Sequence, residues 1–164
     1  MPTTRTLSAT FIEPGPDAGD RLRVRASTES GFELGFDTLS ASEAGIGPGP
    51  TESILASLAA CTAMDVASIL RKKRQRVDTY TIEVTAQKAD AHPQVFTRIT
   101  VEHRVAGDVT VEALRRSIEL SATAYCPVSA MLSGSVPIDH RYHLQREGSD
   151  PETGLAAHTG PPAG

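Results

Sequence analysis

The sequence predicts an α+β domain, and three observations carry that prediction. RLRVRA at 21–26 alternates charged and apolar residues without a break, the two-residue period of a half-buried strand. ESILASLAACTAMDVASIL at 52–70 is apolar on nearly every side, the pattern of a helix covered from several directions. The segments also come in blocks, in the order strands, long helix, strands, helices, strand, rather than as repeating strand-helix units.

The alternation at 21–26 places Leu22, Val24 and Ala26 on one face and Arg21, Arg23 and Arg25 on the other. FELGFDT (32–38) follows the turn-like Glu29-Ser30-Gly31 as a second strand. EAGIGPGP (43–50) is a loop by its glycines and prolines, and it ends where a helix can begin, with Thr51 or Ser53 available as caps. The helix over 52–74 would span roughly 35 Å. Asp65 at its middle, with Ser53, Ser57, Thr62 and Ser68, makes it a core helix rather than a membrane span. RKKRQR (71–76) closes it as a solvated end whose cations complement the helix dipole, in preference to a nucleic-acid patch.

YTIEVTAQ (80–87) and VFTRITVEHRVAG (95–107) are two further strands, joined around His92-Pro93. VTVEALRRSIELSATAY (109–125) is a second helix with Thr110 as N-cap, and PVSAML begins a short third one after Cys126-Pro127. VPIDHRYHL (136–144) is a closing strand. Residues 146–164 carry Gly and Pro throughout and little to bury, which predicts a disordered tail behind a single domain at 1–145.

Composition narrows the function. A net charge of −4 argues against nucleic acid as a partner, and four Phe, three Tyr and no Trp disfavour base-stacking platforms and aromatic ligand cages. The first residues, MPTTRTLSATF, lack the apolar core of a secretory signal, so a cytoplasmic location is expected. In that compartment two cysteines are reduced or redox-active more often than they form a structural disulfide.

Cys126 precedes Pro127, and Pro favours the first position of a helix because it has no N–H to leave unsatisfied. That makes Cys126 the cap residue, its sulfur beside free backbone N–H groups, a setting that lowers a thiol pKa. Cys61 sits inside the long helix, where a plain buried cysteine is the competing reading. Asp65, four residues on, lies about 40° around the same helix, and its carboxylate would raise the pKa of a neighbouring thiol. A hydrogen bond across a dimer interface is an alternative role for Asp65. His140 and His143 are three apart on a strand and face opposite ways, so no metal or cofactor is expected.

GPGPTESILASLAACTAMDVASILRKKRQ together with ELSATAYCPVSAML resembles the OsmC/Ohr family of peroxide-related proteins, closest to its OsmC-like branch, over about residues 5–145. The resemblance implies an intertwined homodimer in which long central helices are wrapped by antiparallel β-sheets, with each site at the subunit interface. It also implies a thiol-dependent peroxidase acting on organic hydroperoxides. Cys61 would be the peroxidatic thiol and Cys126 the resolving one, and a dithiol, possibly lipoyl-linked, would reduce the disulfide. The chemistry suits the residue types, because sulfur passes reversibly through sulfenic acid and a second thiol traps it.

Peroxidase members of the family follow the helix-opening Pro directly with a Glu that pairs with an Arg. Here Thr51 intervenes and the acid is Glu52. Glu52 and Cys61, nine residues apart, fall on opposite sides of a regular helix. Glu52 is therefore either the catalytic acid of the resemblance or an acid that favours the helix dipole. Arg21, Arg23 and Arg25 are the candidates for its cationic partner, or they form a solvated strand face. The alternative function is an OsmC-like small-molecule-binding or stress-associated protein without efficient peroxidase turnover.

Overall fold

The computed structural model describes residues 4–12, 22–38 and 45–162, so Arg21 and the start of EAGIGPGP lie outside the described residues. The chain divides into two compact units, Met1–Ile54 and Leu55–Gly164.

The N-terminal unit holds β1 (Leu7–Ile12), β2 (Arg23–Thr28) and β3 (Glu33–Asp37) in one antiparallel sheet in that order. The arginine face of β2 is spoken for by carboxylates. Arg23 donates from Nε to Asp37 at 3.1 Å, and Asp37, only 4% exposed, also accepts from the Ile46 N–H. Arg25 lies 3.9 Å from Glu33, an exposed pair worth little. Asp37 thus ties the end of β3 to the loop that leads into α1 (Pro50–Lys72).

Pro50 opens α1, two residues before the sequence places its start, and the helix stops two residues early at Lys72. The reason for the stop is Arg74, whose φ of 56° is left-handed. Its N–H donates to Arg71 O and the Gln75 N–H to Leu70 O, the paired bonds of a Schellman close.

In the C-terminal unit β4 (Arg76–Lys88), β5 (Phe96–Asp108), β6 (Ile138–Gln145) and β7 (Glu152–Thr159) form a four-stranded sheet in that order. The α+β class holds. One detail differs from an all-antiparallel sheet: β5 and β6 run parallel. The connection between them contains α2 (Val111–Leu120), a π-helical turn (Ser121–Tyr125) and α3 (Pro127–Leu132), long enough to carry the chain back to the starting end.

The expected disordered tail is corrected at its centre. Residues 152–159 are β7, paired antiparallel with β6. Its glycines serve close packing instead of disorder. A Cβ at Gly154 would lie 2.8 Å from the Tyr142 hydroxyl, so only glycine lets the strand pass that ring. Gly160, at φ +95°, turns the chain where a Cβ would meet Val136 O at 2.5 Å. Asp139 binds both neighbours of β6, with Arg98 Nη1 at 2.7 Å from β5 and His158 Nδ1 at 2.6 Å from β7.

Length and composition would let α1 cross a membrane. Instead Leu58, Thr62, Val66 and Leu70, one residue per turn, form a stripe buried in the protein. The core has two apolar clusters. One joins Val66 and Leu70 to Leu114 and Ile118 of α2 and to Val105, Tyr142 and Leu144 of the sheet. The other joins Leu58 to Ile99, Val101, Cys126, Val136 and Ile138.

Between them runs a buried polar layer, as the strand and helix periods show. Thr62 stands between Leu58 and Val66, His103 between Val101 and Val105, and His140 between Ile138 and Tyr142, all three fully buried. Tyr80 Oη lies 2.7 Å from His103 Nδ1, and His103 Nε2 lies 3.3 Å from His140 Nδ1. Whichever way the protons run, the chain ends at His140 Nε2, which has no hydrogen-bond partner among the described residues.

Burial holds both imidazoles neutral, pushing His103 down to about 3 and His140 down to about 4, with their mutual repulsion adding to the shift at His103. In the unfolded chain both would charge near their ordinary 6.5. The unfolded state then binds more protons, so stability is intact above that pH and is lost as the pH falls toward 4. Each histidine contributes up to about 1.4 kcal/mol per pH unit. Urea midpoints should therefore drop steeply between pH 6.5 and 5, where most carboxylates are still ionised. A profile flat across that interval would contradict the neutral buried pair.

Candidate functional site

Cys126 caps α3 as its position before Pro127 predicts. Its backbone is extended, Pro127 takes the first helical position, and the sulfur accepts from the Ser129 N–H at 3.3 Å. Thr62 Oγ1 donates to the same sulfur at 3.8 Å from across the core. Cys126 is 2% exposed, whereas Cys61 on α1 is partly open to solvent, and both are free thiols.

The π-helical turn sets the register of this corner. The Cys126 N–H donates to Ser121 O, a five-residue closure that widens the helix end. The Ser121 hydroxyl then donates to Asp65 Oδ2 at 3.0 Å. One residue thereby fixes the backbone of Cys126 and the carboxylate that lies one turn from Cys61. The Cys61 and Cys126 sulfurs and an Asp65 oxygen all lie within 4.8 Å of one another.

The neighbours of Cys61 do not favour its thiolate. Burial comes first, followed by its hydrogen bond to Cys126 and repulsion from that sulfur; together with Asp65 they push the thiol up from 9.0 to about 11. A hydrogen bond from the Val128 backbone, at the start of α3, acts the other way. Asp65 thus acts on the thiol in the direction its charge predicts, and it accepts a hydrogen bond from Ser121 of the same chain.

Glu52 is engaged elsewhere. Its Oε2 accepts from the Gly49 N–H at 2.9 Å, which makes it the third-position acid that reaches back to the cap of α1. Of the arginine candidates, Arg23 is held by Asp37 and Arg25 faces Glu33. His140 is buried and His143 binds Glu102 at 2.8 Å, opposite sides of β6 as their spacing predicts. Sequence reasoning missed Ser121 because the signal is spatial: Ser121 meets Asp65 across 56 positions, whereas the Ser129 N–H is the local cap donor that the position of Cys126 before Pro127 predicts.

A thiol titrating this high carries little thiolate at neutral pH. Alkylation of Cys61 by iodoacetamide should rise about tenfold per pH unit from pH 7 to about 10. Asp65→Asn, which removes one cause of the shift, should move the curve to lower pH. Mass-spectrometric rates across that range test this, and a plateau near neutrality would contradict it.

Residues 42–141 match the family model described as OsmC-like protein. The protein YhfA of Escherichia coli (strain K12) is 36% identical over 124 residues, covering 75% of this chain and 90% of YhfA. Among solved structures, an OsmC-like protein from Mycoplasma pneumoniae superposes with a TM-score of 0.72 at 17% identity, covering 88% of this chain and 99% of its own. An organic hydroperoxide resistance protein OsmC from Legionella pneumophila does so at 0.59 and 14%, covering 87% of this chain and 97% of its own. The last two likenesses concern the fold. From the matched family model and the similarity to YhfA, the chain belongs to the family of OsmC-like proteins.

Proposed function

We propose that the protein is a thiol-dependent peroxidase that reduces organic hydroperoxides through Cys61 and Cys126. The observation that carries this reading is the pairing of a partly exposed thiol with a buried one, their sulfurs within 4.8 Å. The Cys61 thiolate attacks one oxygen of the O–O bond, the alcohol leaves, and Cys61 becomes a sulfenic acid. Cys126 attacks that sulfur, water leaves, and a disulfide forms. An external dithiol, possibly lipoyl-linked, then takes up the disulfide by exchange and restores both thiols. A reducing, cytoplasmic setting suits two free cysteines. In this reading Glu52 acts by capping α1, and the ordering of the site falls to Asp65, Ser121 and the start of α3.

The high pKa of Cys61 favours a second reading, a ligand-binding member of the fold with slow turnover. The thiol variants separate the two. With cumene hydroperoxide, Cys126→Ser should accumulate a sulfenic acid on Cys61 that dimedone traps, while Cys61→Ser should leave Cys126 unmodified at the same dose. Equal oxidation of Cys126 in the absence of Cys61 would remove the assigned order of attack.

The working form in this reading is a homodimer. Met64 on α1 is 67% exposed, Met131 on α3 is 72% exposed and Tyr125 is exposed as well, large apolar side chains that a lone chain leaves in water. Sedimentation equilibrium at micromolar concentration should give a dimer, whose interface would bury roughly 2,000 Å² or more. Met64→Lys should weaken association. A monomer for the unmodified chain would contradict this part of the proposal.

A further inference from the structure

Asp65 helps to order the site through Ser121, yet a two-thiol redox couple makes no use of its charge. A carboxylate beside a thiol opposes the thiolate that reacts with peroxide, yet Asp65 is held in place by Ser121 at 3.0 Å. Three groups that all ionise to anions, Cys61, Asp65 and Cys126, share a region where every donor atom lies within 4.8 Å of the others. Such a set is stabilised by a cation. We propose that Cys61, Cys126 and Asp65 form a binding site for a borderline-soft divalent cation, Zn²⁺ by donor type, with one coordination position left open.

Two sulfurs and a carboxylate oxygen suit Zn²⁺ better than the hard, oxygen-seeking Mg²⁺ or Ca²⁺. A tetrahedral ion with bonds of about 2.0–2.3 Å holds its ligands roughly 3.5–3.8 Å apart. From separations of up to 4.8 Å, the donors therefore need to close by roughly 1.0–1.3 Å at most, within the reach of small side-chain rotations of Cys61 and Asp65. Each donor already has an outer contact. Ser121 Oγ donates to Asp65, Ser129 N and Thr62 Oγ1 donate to Cys126, and the Val128 backbone donates to Cys61. Outer contacts of this kind orient the ligands of a metal site. The partial exposure of Cys61 and Asp65 gives the ion a way in and leaves the fourth position to water.

Binding exchanges protons for the metal. Both thiols lose a proton to solvent as their sulfurs bind, so two protons leave per ion while the carboxylate contributes its existing charge. Metal and disulfide are mutually exclusive, because oxidation consumes both sulfur donors. Zn²⁺ would then block the reaction with hydroperoxide, and this regulatory consequence alone rests on the peroxidase reading.

The experiment uses the reduced, chelator-washed full chain without hydroperoxide, so its failure leaves the redox reading untouched. Titration with Co²⁺ should give one ion per chain, a thiolate charge-transfer band and the visible spectrum of a tetrahedral site. Zn²⁺ should displace it, with two protons released per ion in weak buffer. Cys61→Ser, Cys126→Ser and Asp65→Asn should each weaken Zn²⁺ by at least the roughly 10–100-fold that an outer-contact residue is worth. Wild type oxidised to the disulfide is the control that needs no substitution, and it should bind no Co²⁺. If Asp65→Asn does not fold, the cadmium NMR shift of the wild type reads the donors directly, as two sulfurs with oxygen. No charge-transfer band, Co²⁺ bound equally by the oxidised protein, or Zn²⁺ affinity unchanged in a folded Asp65→Asn would each overturn the proposal.

Discussion

The start of α3 is the constraint on which the site depends. Pro127 removes one backbone donor, and the Cys126 sulfur satisfies another by accepting from Ser129 N, so the helix begins where the thiol is. The same turn of backbone reaches Cys61 through Val128. Moving this helix start by one residue would separate the sulfurs and leave buried N–H groups without acceptors, a cost of about 1–3 kcal/mol each. The π-helical turn before it is the adjustment that makes the register fit. It brings Ser121 O to the Cys126 N–H while the Ser121 side chain reaches Asp65.

Behind that corner the core is not uniformly apolar. Leu58 and Val66 belong to different clusters, and Thr62 between them donates to Cys126. His103 and His140 continue the polar layer through the sheet toward Tyr80. Such a layer costs stability relative to hydrocarbon, and the pH sensitivity of the fold follows from it. It also fixes the orientation of α1 on the sheet of the C-terminal unit, because a rotation of the helix would bury the Thr62 hydroxyl without a partner. Cys61, the next residue back, is thereby aimed at α3.

Local rules made much of this legible in the sequence. Thr110 caps α2 and accepts from Ala113 N, and Cys126 caps α3, because cap chemistry is written in adjacent residues. The strand periods at 80–87 and 95–107 lie within β4 and β5, apart from Val95 just ahead of β5, for the same reason. What local rules could not reach were contacts between distant segments. β7 reads as tail, since its one glycine and two alanines supply little bulk, and only the ring of Tyr142 explains Gly154. The parallel pairing of β5 with β6 depends on where α2 and α3 return the chain. Asp65 was readable as a neighbour of Cys61 on one helix but not as the partner of Ser121. Glu52 is offered by the sequence either as a helix-terminal acid or as the acid of the family resemblance, and its bond to the Gly49 N–H adds a capping role that its third position in α1 explains.

The central claim is that Cys61 and Cys126 act as one intramolecular redox couple. The most direct measurement is a peptide map of the unmodified reduced protein after a single equivalent of an organic hydroperoxide. The account predicts loss of both free thiols together and one cross-linked peptide pair containing Cys61 and Cys126 from the same chain. Recovery of two intact thiols, or of cysteines joined only between different chains, would contradict it.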